Sequence, residues 1–127
     1  MNKLAIGTAQ FGMDYGIGSS PGKVNISEVK KILEHAKLTN IDMLDTASAY
    51  GKSEKILGEL NVDEFKVVTK TRHFNIPKIT DDALNLLNRD FEKSLKDLKL
   101  DSMYGLLIHH ADDLMKPGAS KIIEFIH

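Results

Sequence analysis

The chain has 127 residues, of which 42% are hydrophobic and 28% are charged, a balance typical of one globular domain and not of a disordered chain. Seventeen basic and eighteen acidic side chains give a formal net charge of −1, so no strong field favours binding to nucleic acid or to anionic membranes. Because cysteine is absent, disulfides and thiolate metal sites are excluded. The first residues lack the long apolar segment of a secretory signal, and we expect a cytoplasmic protein.

Short apolar runs alternate with amphipathic stretches along the chain, as in repeated parallel β/α units. The first strand is predicted at residues 4–7 and is followed by a polar, Gly-rich passage, residues 8–23. A helix is predicted after Asn25, an N-cap residue with Glu28 three positions later. Residues 16–21 are interpreted as a loop, because proline stands where a dinucleotide-binding fingerprint needs its third glycine.

Three further units are predicted. Their strands lie near residues 42–45, 65–70 and 103–109, and their helices follow Lys52, Thr80 and Gly118. The last helix reaches His127 without a residue that closes it, so we expect it to continue beyond this residue. An eight-unit barrel takes about 250 residues. The sequence therefore predicts one domain over residues 1–127, the amino-terminal half of a (β/α)8 barrel of TIM type, truncated within its fourth predicted helix.

Polar residues follow each predicted strand, where β/α folds place their active sites. Asp45 ends the second strand, and Tyr50 follows it; Lys70 ends the third strand, and His109 ends the fourth. A lysine ammonium beside a tyrosine hydroxyl stabilises the phenolate, and an aspartate keeps that lysine charged. These residues predict a proton-transfer site. We expect His110 to point away from it, because neighbouring strand residues face opposite sides.

Four motifs in this chain resemble those of the aldo-keto reductase family. Residues 45–54, DTASAYGKSE, resemble the D-T-A-x-x-Y-G-x-S-E signature, and residues 67–70 resemble the motif that carries the lysine of strand three. Residues 107–109 resemble the L-I-H motif of strand four, and residues 4–12 match L-x-x-G-T-x-x-F-G. Because the motifs stand in the family's order along the whole chain, they are more specific together than any one alone.

The resemblance implies a barrel enzyme that reduces a carbonyl group of a small molecule with NADPH. It implies that Tyr50 is the proton donor, activated by Lys70 and Asp45, and that His109 orients the carbonyl. Cofactor contacts are expected at Gly7, Thr8 and Asp45, and substrate contacts at Phe11, Tyr15, Tyr50 and His109. The family holds the cofactor's phosphates with loops of the second half of the barrel. We therefore expect residues 1–127 alone to be inactive and to bind NADPH weakly.

Two other functions are compatible with the sequence. A stand-alone half-barrel with uncovered strand edges would act as a structural or interaction protein, pairing with its own copy or with another chain. A metal-dependent lyase or isomerase would use His109 and His110, with Asp112 and Asp45 as further ligands. No ligand-spaced motif on one helix supports this metal site.

Overall fold

A computed structural model describes residues 3–16 and 22–127. The loop interpreted at residues 16–21 lies, except for Gly16, outside the described residues. The strands are β1 (Ile6–Gly7), β2 (Met43–Asp45), β3 (Lys66–Lys70) and β4 (Gly105–Leu107). The helices are α1 (Ala9–Gly12), α2 (Ile26–Leu38), α3 (Ser53–Glu59), α4 (Asp81–Leu98) and α5 (Ser120–Ile126), with a 3-10 helix at Ala111–Met115.

Within the described residues, the strands form one parallel sheet in the order β1-β2-β3-β4. Each strand pairs with the next one along the chain, and a helical segment lies in each connection, as the repeated β/α pattern requires. The register places Gly7, Asp45, Val68 and Gly105 in one row across the sheet. The predicted fold class and strand order are confirmed.

Two of the predicted helix starts, after Asn25 and Thr80, are confirmed by side-chain caps. The side chain of Asn25 accepts a hydrogen bond from the amide of Glu28 at 3.0 Å, and α2 begins at the next residue. Thr80 Oγ1 accepts from the amide of Ala83 at 3.3 Å and caps α4. A side-chain oxygen at this position satisfies an amide that has no partner within the helix.

One local prediction is wrong, and two short helices were not predicted. The fourth strand ends at Leu107 and not at residue 109, so the two histidines after it follow the strand instead of lying on it. Residues 8–23 contain α1, which turns Phe11 into the protein core. The 3-10 helix at Ala111–Met115 was not predicted either. Both helices are too short for hydrophobic periodicity to reveal them.

The sheet has one face packed against helices and one more open face. Leu44 and Val67 are buried in a cluster with Leu33 of α2 and Leu57 of α3, and each fully buried leucine contributes about 1.5–3 kcal/mol. Residues of the opposite face are less buried, and the side of β4 that carries Leu107 leaves it 49% exposed. The described helices therefore cover one side of the strands.

Within residues 3–16 and 22–127, no helix combines the length and the apolar character needed to cross a bilayer.

Candidate active site

An ion pair joins the ends of two neighbouring strands. Lys70 Nζ donates to Asp45 Oδ1 at 2.6 Å and to the carbonyl oxygen of Thr46 at 3.0 Å. The register explains this contact, because Asp45 lies opposite Val68, two residues before Lys70 on the same face of β3. The Lys70 side chain is only 13% exposed. The ammonium is therefore held in one place by two acceptors.

Tyr50 lies between this ammonium and an imidazole. Lys70 Nζ is 5.1 Å from the centroid of the Tyr50 ring, and the ring of His109 meets Tyr50 edge to face with centroids 5.9 Å apart. The structure thus brings together the four residues predicted to be catalytic, Asp45, Tyr50, Lys70 and His109. A cation over the ring stabilises negative charge on the phenol.

The environment of His109 favours the neutral form of its imidazole. Burial lowers the pKa of His109 below its usual value, and the nearby charges of His110 and Lys70 lower it further, while Asp45 opposes them. The backbone of His109 is fixed by a hydrogen bond from its amide to Thr71 Oγ1 at 3.2 Å. A neutral imidazole at this place can donate a hydrogen bond to a ligand and adds no net charge to the site.

Two further imidazoles continue the row of rings. His110 lies 5.0 Å from His109, centroid to centroid, and stacks on His73 at 4.0 Å. The prediction that His110 points away from His109 is wrong, because β4 has already ended and strand alternation does not apply. Sequence reasoning missed His73, which no motif in the sequence marks.

A cavity of about 290 Å³ lies beside Tyr50 and is lined by residues 7–10, Tyr15, Asp45 and Tyr50. A Cβ at Gly7 would meet no described atom within 4 Å, so this strand end leaves open space in front of Asp45. All three predicted cofactor residues, Gly7, Thr8 and Asp45, line the cavity. Its volume is near the lower end of the range for small-molecule sites, about 300–1,000 Å³.

Thr8 lines the same cavity, but its side chain stabilises the fold. The side chain is fully buried, and Oγ1 donates to the carbonyl oxygen of Asp45 at 3.0 Å. Thr8 therefore fixes the end of the strand that carries Asp45, and its hydroxyl is not directed at a ligand.

The two predicted aromatic substrate contacts have different positions. The ring of Tyr15 is 58% exposed and lies 6.5 Å from that of Tyr50, so it stands at the cavity wall. Phe11 is 3% exposed in the same cluster as Leu57. The predicted substrate contact at Phe11 is wrong, because α1 directs this side chain into the core.

Close packing of α1 positions the turn that carries Tyr50. A Cβ at Gly12 would lie 2.9 Å from the amide nitrogen of Lys52 and closer still to the backbone of Tyr50 and Ser53. The carbonyl oxygen of Gly12 accepts from the Lys52 amide at 3.3 Å, and the carbonyl oxygen of Tyr50 accepts from the Ser53 amide at 3.1 Å. A glycine is required here because backbone approaches backbone.

A separate, larger groove of about 730 Å³ lies at the amino ends of β3 and β4, next to Lys66 and Tyr104. This is the end of the sheet opposite Lys70, so the groove is not part of the candidate site.

A sequential parallel sheet with a polar cluster at the carboxyl ends of its strands defines a β/α-barrel type of protein. Comparison with known proteins identifies the family: residues 3–126 match the model of the aldo/keto reductase family. The chain belongs to this family.

Known structures agree with this assignment. A Pseudomonas aeruginosa protein assigned to the aldo-keto reductases is 25% identical, with a TM-score of 0.70 over 96% of this chain and 51% of that one. An aldo-keto reductase from Bacillus halodurans is 19% identical, with a TM-score of 0.56 over 89% of this chain and 38% of that one, and shows the shared fold. The chain thus matches about half the length of the Pseudomonas aeruginosa protein.

One curated relative, oxidoreductase sirO of Leptosphaeria maculans, is 39% identical over 71 residues. The match includes 53% of this chain and 22% of the relative. The chain therefore spans only part of the length of the proteins that it matches.

Proposed function

We propose that this chain provides the proton-transfer half of an NADPH-dependent oxidoreductase that reduces a carbonyl group of a small molecule to an alcohol. The observation that carries the proposal is the position of Tyr50, with Lys70 Nζ 5.1 Å from its ring centroid and the His109 ring at 5.9 Å. Membership of the aldo/keto reductase family supports the reaction type.

The cavity beside Tyr50 fits the nicotinamide end of such a cofactor. Gly7 offers an open backbone surface, and Asp45 and the backbone of Thr8 border the same space. When it is bound there, the nicotinamide supplies the hydride that a carbonyl carbon accepts.

The residues of the chain provide the proton and the orientation. The hydroxyl of Tyr50 donates its proton to the carbonyl oxygen, and the Lys70 ammonium stabilises the phenolate that remains. Asp45 holds the Lys70 ammonium in place through the 2.6 Å contact. His109, whose pKa is lowered by burial and by the charges of His110 and Lys70, donates a hydrogen bond to the same carbonyl oxygen and fixes its direction.

The proposal is tested with a full-length parent protein and its Tyr50→Phe variant. The parent is expected to reduce a reactive aldehyde with NADPH. Tyr50→Phe is expected to lose turnover but to keep NADPH binding, since the hydroxyl acts in the transition state and does not hold the nucleotide. NADPH binding is followed by fluorescence titration and the rate by NADPH absorbance. A variant as fast as the parent would remove Tyr50 from the mechanism.

We further propose that residues 1–127 are the amino-terminal half of a single barrel and require the other half for activity. The match to about half of the Pseudomonas aeruginosa chain supports this. Alone, these residues are expected to bind NADPH weakly. Tight NADPH binding by the 127-residue chain would contradict this part of the proposal.

The open sheet face favours a second role, pairing with a copy of this chain or with the other half of a barrel. The outer strand β4 leaves Leu107 49% exposed, and a strand edge with exposed apolar side chains promotes association. Light scattering is expected to show at least a dimer. A monodisperse monomer of 14.1 kDa with a cooperative melt would contradict it.

The metal-dependent alternative gains no support from the geometry. In the part of the chain that the structure describes, no group of three or more histidine or carboxylate side chains is arranged to hold a metal ion.

A further inference from the structure

Glu54 is a buried carboxylate that the proposed mechanism does not use. Glu54 is the last residue of the signature at residues 45–54, and it is 6% exposed. Oε1 accepts from Thr69 Oγ1 at 2.6 Å, and Oε2 accepts from Ser94 Oγ at 2.8 Å. Glu54 thus connects α3, which carries it, to strand β3 and to helix α4.

These hydrogen bonds come from neutral hydroxyls. Asp113, another buried carboxylate, has an ammonium partner instead, Lys116 Nζ at 2.7 Å. Burial raises the pKa of Glu54, although its two hydrogen bonds act in the opposite direction. A charged carboxylate in this environment opposes folding. The favourable interactions of Glu54 are its hydrogen bonds with Thr69 and Ser94.

The first turn of α3 holds the strand ends that carry the candidate site. Ser53 Oγ donates to the carbonyl oxygen of Thr8 at 2.9 Å, and Thr8 in turn holds the carbonyl of Asp45. Glu54 holds Thr69, which directly precedes Lys70. The amide of Ser53 donates to the carbonyl oxygen of Tyr50. One helical turn therefore connects the backbones near Asp45, Tyr50 and Lys70.

We propose that Glu54 is a positioning residue: by holding Thr69 it fixes the point at which Lys70 leaves β3, and so the position of Nζ relative to Tyr50 and His109. Thr69 faces the helices, and Lys70 faces the opposite side of the sheet, toward Asp45 and Tyr50, since neighbouring strand residues point to opposite sides. Because the two residues are adjacent in β3, a shift of Thr69 would also move Lys70. The inference rests on the proposed function only in giving this geometry a catalytic use.

The two hydroxyls bound by Glu54 provide a matched pair of variants. Thr69→Val and Ser94→Ala each remove one hydroxyl from the same carboxylate, and both residues are almost completely buried. Thr69 adjoins Lys70, whereas Ser94 lies on α4. A general loss of packing would affect both variants alike. Loss of positioning would affect Thr69→Val alone.

The imidazole of His109 reports where the Lys70 ammonium lies. Lys70 is one of the charges that lower the pKa of His109, together with His110 and His73, while Asp45 raises it. An ammonium that moves away opposes protonation of His109 less, so its pKa rises toward the usual value. The measurement is an NMR pH titration of the ¹³C-labelled histidines in the 127-residue chain, with no need for cofactor or turnover.

Thr69→Val is expected to raise the titration midpoint of His109 by several tenths of a pH unit, and Ser94→Ala to leave it close to that of the unsubstituted chain. Equal midpoints in the two variants, shifted or not, would overturn the proposal. If Thr69→Val does not fold, Glu54→Leu and Glu54→Gln give the same contrast. Glutamine can bond both hydroxyls and is expected to keep the midpoint, whereas leucine bonds neither and is expected to raise it.

This experiment is independent of the reaction. A parent protein without reductase activity would refute the proposed function and leave the His109 titration unaffected. An unshifted midpoint in Thr69→Val beside an active parent would refute the positioning role alone.

Discussion

Two glycines near the candidate site are expected to respond in opposite ways to the same substitution, glycine to alanine. In Gly12→Ala the new methyl group would lie 2.9 Å from the Lys52 amide nitrogen and closer still to the backbone of Tyr50 and Ser53. Contacts below 3.0 Å are essentially never seen for a real Cβ. Because the obstructing atoms belong to the backbone, no rotamer change relieves the clash, and α1 must separate from the Tyr50 turn.

The cost of Gly12→Ala follows from that separation. Overpacking costs about 1–3 kcal/mol, and the weakened hydrogen bond between the Lys52 amide and the Gly12 carbonyl adds about 0.5–1.5 kcal/mol. The smaller entropy of the unfolded alanine chain offsets about 0.4–1 kcal/mol. The free energy of unfolding is therefore expected to fall by about 0.5–4 kcal/mol.

Gly7→Ala is the matched control. A Cβ there meets no described atom within 4 Å, and the unfolded-state effect is expected to make the variant equal to the unsubstituted chain or more stable by up to about 1 kcal/mol. In a full-length parent, the same methyl group would occupy the cavity and weaken NADPH binding. Urea unfolding followed by circular dichroism measures both stabilities. A Gly12→Ala variant as stable as Gly7→Ala would refute the close-packing argument.

Four other substitutions test the site and the core. Asp45→Asn removes an ion pair whose carboxylate is 37% exposed, so the free energy of unfolding is expected to fall by only about 1 kcal/mol. NMR should also show a lower pKa for His109, because Asp45 raises that pKa. An unchanged pKa would contradict this. Burial raises the pKa of Glu54 above 4.5, so folding takes up a proton above pH 4.5 and the stability of the unsubstituted chain falls as the pH rises above that value. In urea melts, the stability of Glu54→Gln relative to the unsubstituted chain should therefore grow from pH 4 to 7. A difference that does not change with pH would exclude this linkage. Leu57→Ala should cost about 2–5 kcal/mol and Leu38→Ala, at an 82% exposed residue, less than about 0.5 kcal/mol; similar losses in chemical denaturation would mean that the core is misassigned.

Local signals predicted the order and type of the main elements well. The caps at Asn25 and Thr80 act within one turn of chain, and a side-chain oxygen there bonds an amide three residues later. The strand ends at Asp45 and Lys70 were also readable, because β-branched or apolar residues stop there. These features depend on near neighbours, which a single sequence displays.

Features that depend on residues distant in the chain could not be predicted from the sequence. Phe11 looked like a pocket residue because it stands in a motif near the first strand, but the core packing of α1 determines its direction. Glu54 has the appearance of an ordinary charged helix residue, and only its partners on β3 and α4 show that it is buried. The place of His110 beside His109 depends on where β4 ends, and neither residue type marks that end.

The order of the strands in the sheet has a consequence for how the chain acquires its structure. Each strand pairs with the strand that precedes it in sequence, so a strand emerging from the ribosome finds its partner already synthesised. The sheet can therefore grow by addition at one edge, with β4 the last of the described strands to join. In that order the contact between Asp45 and Lys70 forms when β3 is added, while His109 reaches Tyr50 only after β4 has joined.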